Sequence, residues 1–306
     1  MTPHPTGPRR ATVHRAADRY TIEDGEARLT SHHSFSFTGY YDPDNTHHGS
    51  LLSHAEHLVR PGGGFDTHRH RDMEIVTWVL AGVLEHRDDS GERRLVGPGR
   101  VQRLSAGAGV RHSERNASAT EPLRFVQMWL APERAGTPPA YELGPLPPDG
   151  PAGAVVASGA GLVPLASGMP QHAGGGAVRL GRRDAALHLG RPAADGPALL
   201  LPDAPYLHVF VTRGAVEVWL PGEEAVAGEA VGDAGVEAGV QDAGLVASEG
   251  SGAADVSEAL SGVSGGRLRL AAGDALRLTG RAPGAVVRTT AREPVELLVW
   301  EMHGTL

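Results

Sequence analysis

Two stretches of this chain can be laid over one another. Residues 74–87 (EIVTWVLAGVLEHR) and 206–220 (YLHVFVTRGAVEVWL) align with Gly82 over Gly214 and Glu85 over Glu217. Each runs on through turn-rich sequence to a glycine-rich element, SAGAG at 105–109 in the first half and AAGDA at 271–275 in the second. A weak internal repeat of this kind points to one supersecondary unit used twice. The unit is made of strands. Ile75-Val76-Thr77-Trp78-Val79-Leu80, Arg124-Phe125-Val126-Gln127-Met128-Trp129-Leu130, Leu207-His208-Val209-Phe210-Val211 and Ala285-Val286-Val287-Arg288 are rich in β-branched or aromatic residues and bounded by Gly, Pro, Asp or Asn. No window carries a long helical apolar period with caps. The expected fold class is all-β, a barrel of antiparallel strands present in two tandem copies.

At 306 residues, with 40% hydrophobic and 21% charged residues, the chain is too long for one small barrel and too apolar for a disordered polymer. A Pro/Gly-rich stretch at 136–153, GTPPAYELGPLPPDGPAG, reads as a linker. The expected division is a first domain over 1–135, a linker over 136–155 and a second domain over 156–306. Within the second, 222–266 is an Ala/Gly/Val/Glu segment of low complexity with nine acidic and no basic residues, and it reads as a mobile loop. It also explains the charge. The net charge of −8, from 28 basic and 36 acidic residues, becomes +1 without that segment, so no basic face for direct nucleic-acid binding is expected. The absence of cysteine excludes disulfides, thiolate zinc sites and a cysteine nucleophile. Residues 1–20 lack the apolar core of a signal peptide, and no later run approaches the ~18 apolar residues of a membrane span. A cytoplasmic protein without membrane contact is the expectation.

Histidine is unevenly spread: twelve of sixteen lie within the first 112 residues. On a strand, residues i and i+2 share a face, so His68 and His70 of Asp66-Thr67-His68-Arg69-His70 project together. His112 and Glu114 have the same spacing, and two neighbouring strands of one barrel would bring three imidazoles and a carboxylate to a common centre. Glu74, four residues beyond His70, is expected on that face too, which leaves the identity of the carboxylate open. Nitrogen and oxygen donors suit Fe(II), Mn, Ni or Zn. His32, His33, His47, His48, His54 and His57 read as surface residues or as neighbours of the ligands, and His86 as a hairpin residue.

These residues fall in a known order. Gly62, five residues, His68-x-His70, three residues, Glu74 and then Gly82 resemble the first motif of the cupin superfamily, with the last glycine one residue late. Gly109, two residues, His112, three residues and Asn116 resemble the end of its second motif, with Gly107 where a proline is usual. More specifically, the N-terminal half resembles the pirin family, including its bacterial quercetinase-like members. The matching stretches are His33-Ser34-Phe35-Ser36-Phe37, Tyr40-Tyr41-Asp42-Pro43, 65–75, Val83-Leu84-Glu85-His86, 105–114 and Val126-Gln127-Met128-Trp129 with Pro132. They cover 31–141, and the rest of the chain follows only in general pattern. His32 stands where the family usually has tryptophan, and Arg69 where proline often separates the two histidines.

The resemblance implies a bicupin of two jelly-roll barrels with one metal per chain, held by His68, His70, His112 and Glu114, while Glu74 stands beside the ligands or replaces one. It implies Fe(II) before Mn, Co, Ni or Zn, and a quercetin 2,3-dioxygenase-type ring cleavage of a small aromatic or enolic substrate by dioxygen, with Glu114 as base. The alternative it carries is a non-enzymatic, iron-dependent redox sensor that partners a transcription regulator, in which 222–266 would serve a protein partner. The repeat places Leu200 and Pro202 at the positions of His68 and His70, so the C-terminal barrel is expected to lack a metal and to wall the cavity as a structural partner. Its histidines, His172, His188, His208 and His303, read as isolated core or surface residues.

Overall fold

A strand packed between two layers buries both of its faces and loses the alternation of a half-exposed one. Glu74–Ala81 is such a strand: Ile75 and Val79 join apolar clusters inside one barrel, whereas Val76 and Trp78 join a cluster shared with the second barrel. The computed structural model describes residues 9–145, 161–175, 178–194, 196–221, 258–261, 266–289 and 293–306. Among them, the secondary structure is strands with three short 3-10 turns, and no helix is long and apolar enough to cross a membrane.

The N-terminal barrel has a large sheet in the order Ala140–Pro145, Arg100–Ser105, Glu74–Ala81, Leu123–Leu130, Leu51–Val59, Leu29–His33, Tyr20–Asp24. A small sheet completes it, in the order Gly64–His70, Val110–Asn116, Leu84–Asp88, Arg93–Val96. The C-terminal barrel repeats the plan. Its large sheet is centred on Ala185–Gly190, Glu296–Met302, Tyr206–Arg213 and Ala275–Thr279, and its small sheet is Leu199–Leu200, Val286–Thr289, Ala215–Leu220, Gly266–Ala271. The sequence repeat is therefore a structural one: Thr77 faces Gln127 across its strand pair as Val209 faces Val299 across the corresponding pair. The two large sheets pack back to back, with Trp78, Met128, Leu187, Phe210 and Trp300 in the shared core. Polar ties flank that core, such as Trp78 Nε1 donating to Glu296 Oε1 at 3.0 Å.

Strands at the sheet edges cross the division drawn from sequence. Arg10–His14 pairs with Ala275–Thr279 and so belongs to the C-terminal sheet, although it precedes the N-terminal barrel in the chain. Ala140–Pro145, inside the stretch read as linker, is an edge strand bonded to Arg100–Ser105. Its proline-rich flanks concealed it, yet proline is compatible with an edge, where one side of the backbone needs no partner. Most of the 222–266 segment lies outside the described residues; within it, Glu258–Ser261 is a strand paired with Arg10–His14.

Candidate metal centre

The small N-terminal sheet supplies the donors. Gly64–His70 pairs with Val110–Asn116 so that His112 faces His68 and Glu114 faces Phe65, and the first strand bulges between these positions. A bulge re-aims side chains without ending the pairing. Gly64 permits the close approach: its φ is 135°, and a Cβ there would collide with the Glu114 carbonyl oxygen.

His68 Nδ1–H donates to the Asp66 carbonyl at 2.7 Å, which fixes the tautomer and leaves Nε2 as a lone-pair donor. That Nε2 lies 2.9 Å from His70 Nε2. The His112 ring centroid is 4.5 Å from that of His68 and 5.0 Å from that of His70, and His112 Nε2 is buried without a hydrogen-bond partner. Burial, with smaller contributions from neighbouring histidines, lowers His70 and His112 to about 4 against the attraction of Glu114. Both rings are thus neutral at neutral pH, as metal ligands must be.

Glu114 is 1% exposed. Gln102 Nε2 donates to its Oε1 at 2.9 Å and Gln127 Nε2 to its Oε2 at 2.7 Å. The orientation of each amide is dictated from behind, because Tyr141 O–H donates to Gln102 Oε1 and Trp129 Nε1–H to Gln127 Oε1, both at 3.0 Å. Burial pushes the Glu114 carboxyl up, but His86, His112 and the Gln127 amide outweigh it and hold the group below the ordinary carboxylate range. The site thus pairs neutral imidazoles with an ionised, fully anchored carboxylate.

The donors form two overlapping groups: His68, His70 and His112 in one, and His86, His112 and Glu114 in the other, with the donor atoms of each group within 4.8 Å of one another. His86 is the unforeseen member. It is fully buried, with Nδ1 3.4 Å from His112 Nδ1 and 3.9 Å from Glu114 Oε1, and Nε2 3.6 Å from Asp88 Oδ2. Glu74 is not in either group, contrary to the expectation that it shares the face of His70. The turn between the two strands breaks the alternation: Asp72 adopts φ 49°, and Glu74 emerges on the opposite face. There its Oε2 accepts from Ser105 Oγ at 2.9 Å and from the Gly181 backbone N–H of the second barrel at 3.2 Å.

His68, His70 and Glu114 border a cavity of about 320 Å³, walled by Phe37, Phe65 and Trp129. Among the described residues its lining comes from 22–129, so no described part of the C-terminal barrel walls this cavity. His33 and His57 also reach it. Ser31 Oγ lies 2.8 Å from His57 Nδ1, while His57 Nε2 has no partner among the described residues. His48 and His54 turn instead toward the second barrel, where His48 Nε2 lies 3.0 Å from the Leu207 carbonyl and the His54 ring 4.8 Å from that of His208.

The Pirin family model matches residues 13–130. A Mycobacterium tuberculosis protein named "Putative quercetin 2,3-dioxygenase" is 39% identical over 294 residues, which is 96% of each chain. The chain belongs to the pirin family. Quercetin 2,3-dioxygenase of Escherichia coli is 46% identical over 114 residues, 37% of this chain and 49% of that one. The crystal structure of the bacterial pirin YhhW from Escherichia coli in complex with nickel(II) superposes with a TM-score of 0.68 at 24% identity, covering 97% of this chain and all of the other, and shows the shared fold. In this member of the family, Gln127 and Trp129 lie in a stretch already matched by sequence, and their i, i+2 spacing on a strand places them on one face. Gln102 and Tyr141 left no such signal.

Proposed function

We propose that this pirin is a metal-dependent dioxygenase that cleaves a flavonol-like ring in the manner of quercetin 2,3-dioxygenases. The observation that carries the reading is the meeting of imidazoles and an ionised, amide-held carboxylate at the wall of a cavity lined by Phe37, Phe65 and Trp129. The buried, unpartnered Nε2 of His112, with the Nε2 atoms of His68 and His70 converging beside it, fits a cation, which would take up the lone pairs these rings direct to one point. His68, His70, His112 and Glu114 would hold the ion, with Fe(II) first and Mn, Co, Ni or Zn admitted by the same donor chemistry. When bound, a divalent ion supplies Lewis-acid polarisation of a substrate oxygen.

The chain's own residues do the rest. Phe37, Phe65 and Trp129 offer ring faces and edges to a flat aromatic substrate. His57 Nε2, steadied through Nδ1 by Ser31, meets a second substrate hydroxyl away from the reacting end. A Glu114 oxygen takes the proton of the reacting hydroxyl, and Gln102 and Gln127 keep the carboxylate aimed as its charge changes. Dioxygen then adds across the heterocycle and carbon monoxide is released. Protein loaded in turn with Fe(II), Mn, Co and Ni should bleach the near-visible band of quercetin, and metal-loaded protein that never does so removes the proposal.

A further inference from the structure

The second barrel keeps a cavity of about 570 Å³ bordered by Leu200 and Pro202, the residues that the repeat sets at His68 and His70 of the first. Val287 stands for Glu114: it pairs with Val218, which the same register sets at His86, the cross-strand partner of Glu114. The donors of the small sheet have therefore become aliphatic. The polar groups lie on the large sheet and its flanking turns instead, and the C-terminal histidines are not isolated as the sequence suggested. His188 Nε2 and His303 Nε2 each lie 2.8 Å from a different oxygen of Glu301. Ser167 Oγ lies 2.9 Å from His172 Nδ1, and the His172 and His188 rings stand at 86° with centroids 5.3 Å apart. This array is not a metal nest, because among the described residues the converging donor groups are both in the first barrel.

We propose that this second cavity is a binding site for a neutral phenol, one hydroxyl on an apolar ring. Burial raises the Glu301 carboxyl, but the bonds from His188 and His303 prevail and lower it to about 2, so it is an acceptor only. His188 accordingly commits its Nε2–H to the carboxylate, and its Nδ1 has no partner among the described residues and is the atom we assign as acceptor for the ligand. Ser167 Oγ accepts the Met169 backbone N–H at 3.0 Å and keeps its own hydrogen for His172 Nδ1; with that bond made, His172 presents Nε2–H as a donor. Both rings border the cavity. A hydroxyl group satisfies the two at once, donating to His188 and accepting from His172. The facing wall of Leu162, Leu200 and Pro283 suits the ring carbons, and the volume exceeds what a single ring needs.

The test follows the His172 and His188 ring resonances of the ¹⁵N-labelled full chain, assigned with His172→Gln and His188→Gln, during titration with 4-fluorophenol and with fluorobenzene. Both rings should shift saturably with the phenol, and fluorobenzene, which makes neither hydrogen bond, should bind at least about tenfold more weakly. His188→Gln should shrink that preference, and His188→Gln with His172→Gln should erase it. Leu200→Arg, at a side chain 62% exposed and therefore tolerant of charge, should abolish binding. Rings that stay unmoved to about 5 mM phenol, equal binding of the two probes, or unchanged shifts in Leu200→Arg would each overturn the proposal.

Discussion

Replacing Gln127 by leucine tests how the carboxylate at the metal centre is held. Gln127 Nε2 donates to Glu114 Oε2 at 2.7 Å, and Gln127 Oε1 accepts from Trp129 Nε1 at 3.0 Å. The first is a buried bond to an ionised group, worth about 1.5–3 kcal/mol; loss of the second leaves an indole N–H unmatched at about 1 kcal/mol. In Gln127→Leu, Glu114 keeps the Gln102 bond and the nearby His86 on Oε1 but loses the aim of Oε2. Metal affinity should fall about 10- to 100-fold, the usual effect of removing a group that orients a ligand. The fall should deepen in acid. Bonds to the ionised form depress the Glu114 pKa, so removing one raises it, and protons then compete with the metal at a higher pH. Competition against a chromophoric chelator with Ni(II), at about pH 5 and about pH 7.5, reads both effects, and thermal melts check that the variant folds. Dissociation constants within about twofold of the unaltered protein at both pH values, from a normally melting variant, would refute the reasoning.

Glu74→Ala should leave Ni(II) affinity within about twofold while costing about 1–3 kcal/mol in urea unfolding, because Glu74 serves Ser105 and the Gly181 backbone and no ligand; a loss of metal binding would restore it as a ligand. His54→Phe should stabilise the protein, and more so in acid. Burial, aided by Arg19 and Arg277, lowers His54 from 6.5 to about 3, so the stability tied to its neutral form is present above 6.5 and drains away as the pH falls toward 3. Urea unfolding at about pH 5 and pH 7.5 should show the advantage of His54→Phe growing by about 2 kcal/mol at the lower pH, and a constant difference would count against it. Glu301→Gln should flatten the acid limb of the stability profile between pH 4.5 and about 2, since the stability from the depressed Glu301 pKa is present above 4.5 and lost as the pH falls through about 2. An unchanged limb in acid-unfolding curves would mean that the carboxylate is not held by its two imidazoles.

What could be read from sequence was what depends on spacing within one strand. His68 with His70 and His112 with Glu114 share faces because strand geometry has a period of two, and the Gly82/Gly214 repeat survives as two equivalent strand pairs. Errors arise where the chain leaves that regime. Between His70 and Glu74 lies a turn whose left-handed Asp72 resets the face. Tyr141 lay hidden in an edge strand with the composition of a linker. His86 reaches Glu114 by cross-strand pairing over a long loop closure, and His188, His303 and Glu301 meet through pairing of Ala185–Gly190 with Glu296–Met302, neither of which one sequence spells out.

Each barrel buries a carboxylate whose two oxygens are satisfied by N–H donors, and the chemistry differs because the donors differ. In the first, Gln102 and Gln127 provide the hydrogen bonds to Glu114, which frees the ring nitrogens of His68, His70 and His112 to converge on one another. In the second, the imidazoles of His188 and His303 are themselves the donors to Glu301, so their Nε2 positions are already consumed. A buried imidazole that gives its hydrogen to a carboxylate cannot also turn that nitrogen to a metal. Two imidazoles and a carboxylate without an ion would pay desolvation with nothing to offset it, which makes Leu200, Pro202 and Val287 the stable choice in the second copy, where Leu276 and Val299 stand at the positions of Gln102 and Gln127. Amide or imidazole behind the carboxylate is thus the physical difference between a candidate metal centre and a hydrogen-bonding pocket on one duplicated fold.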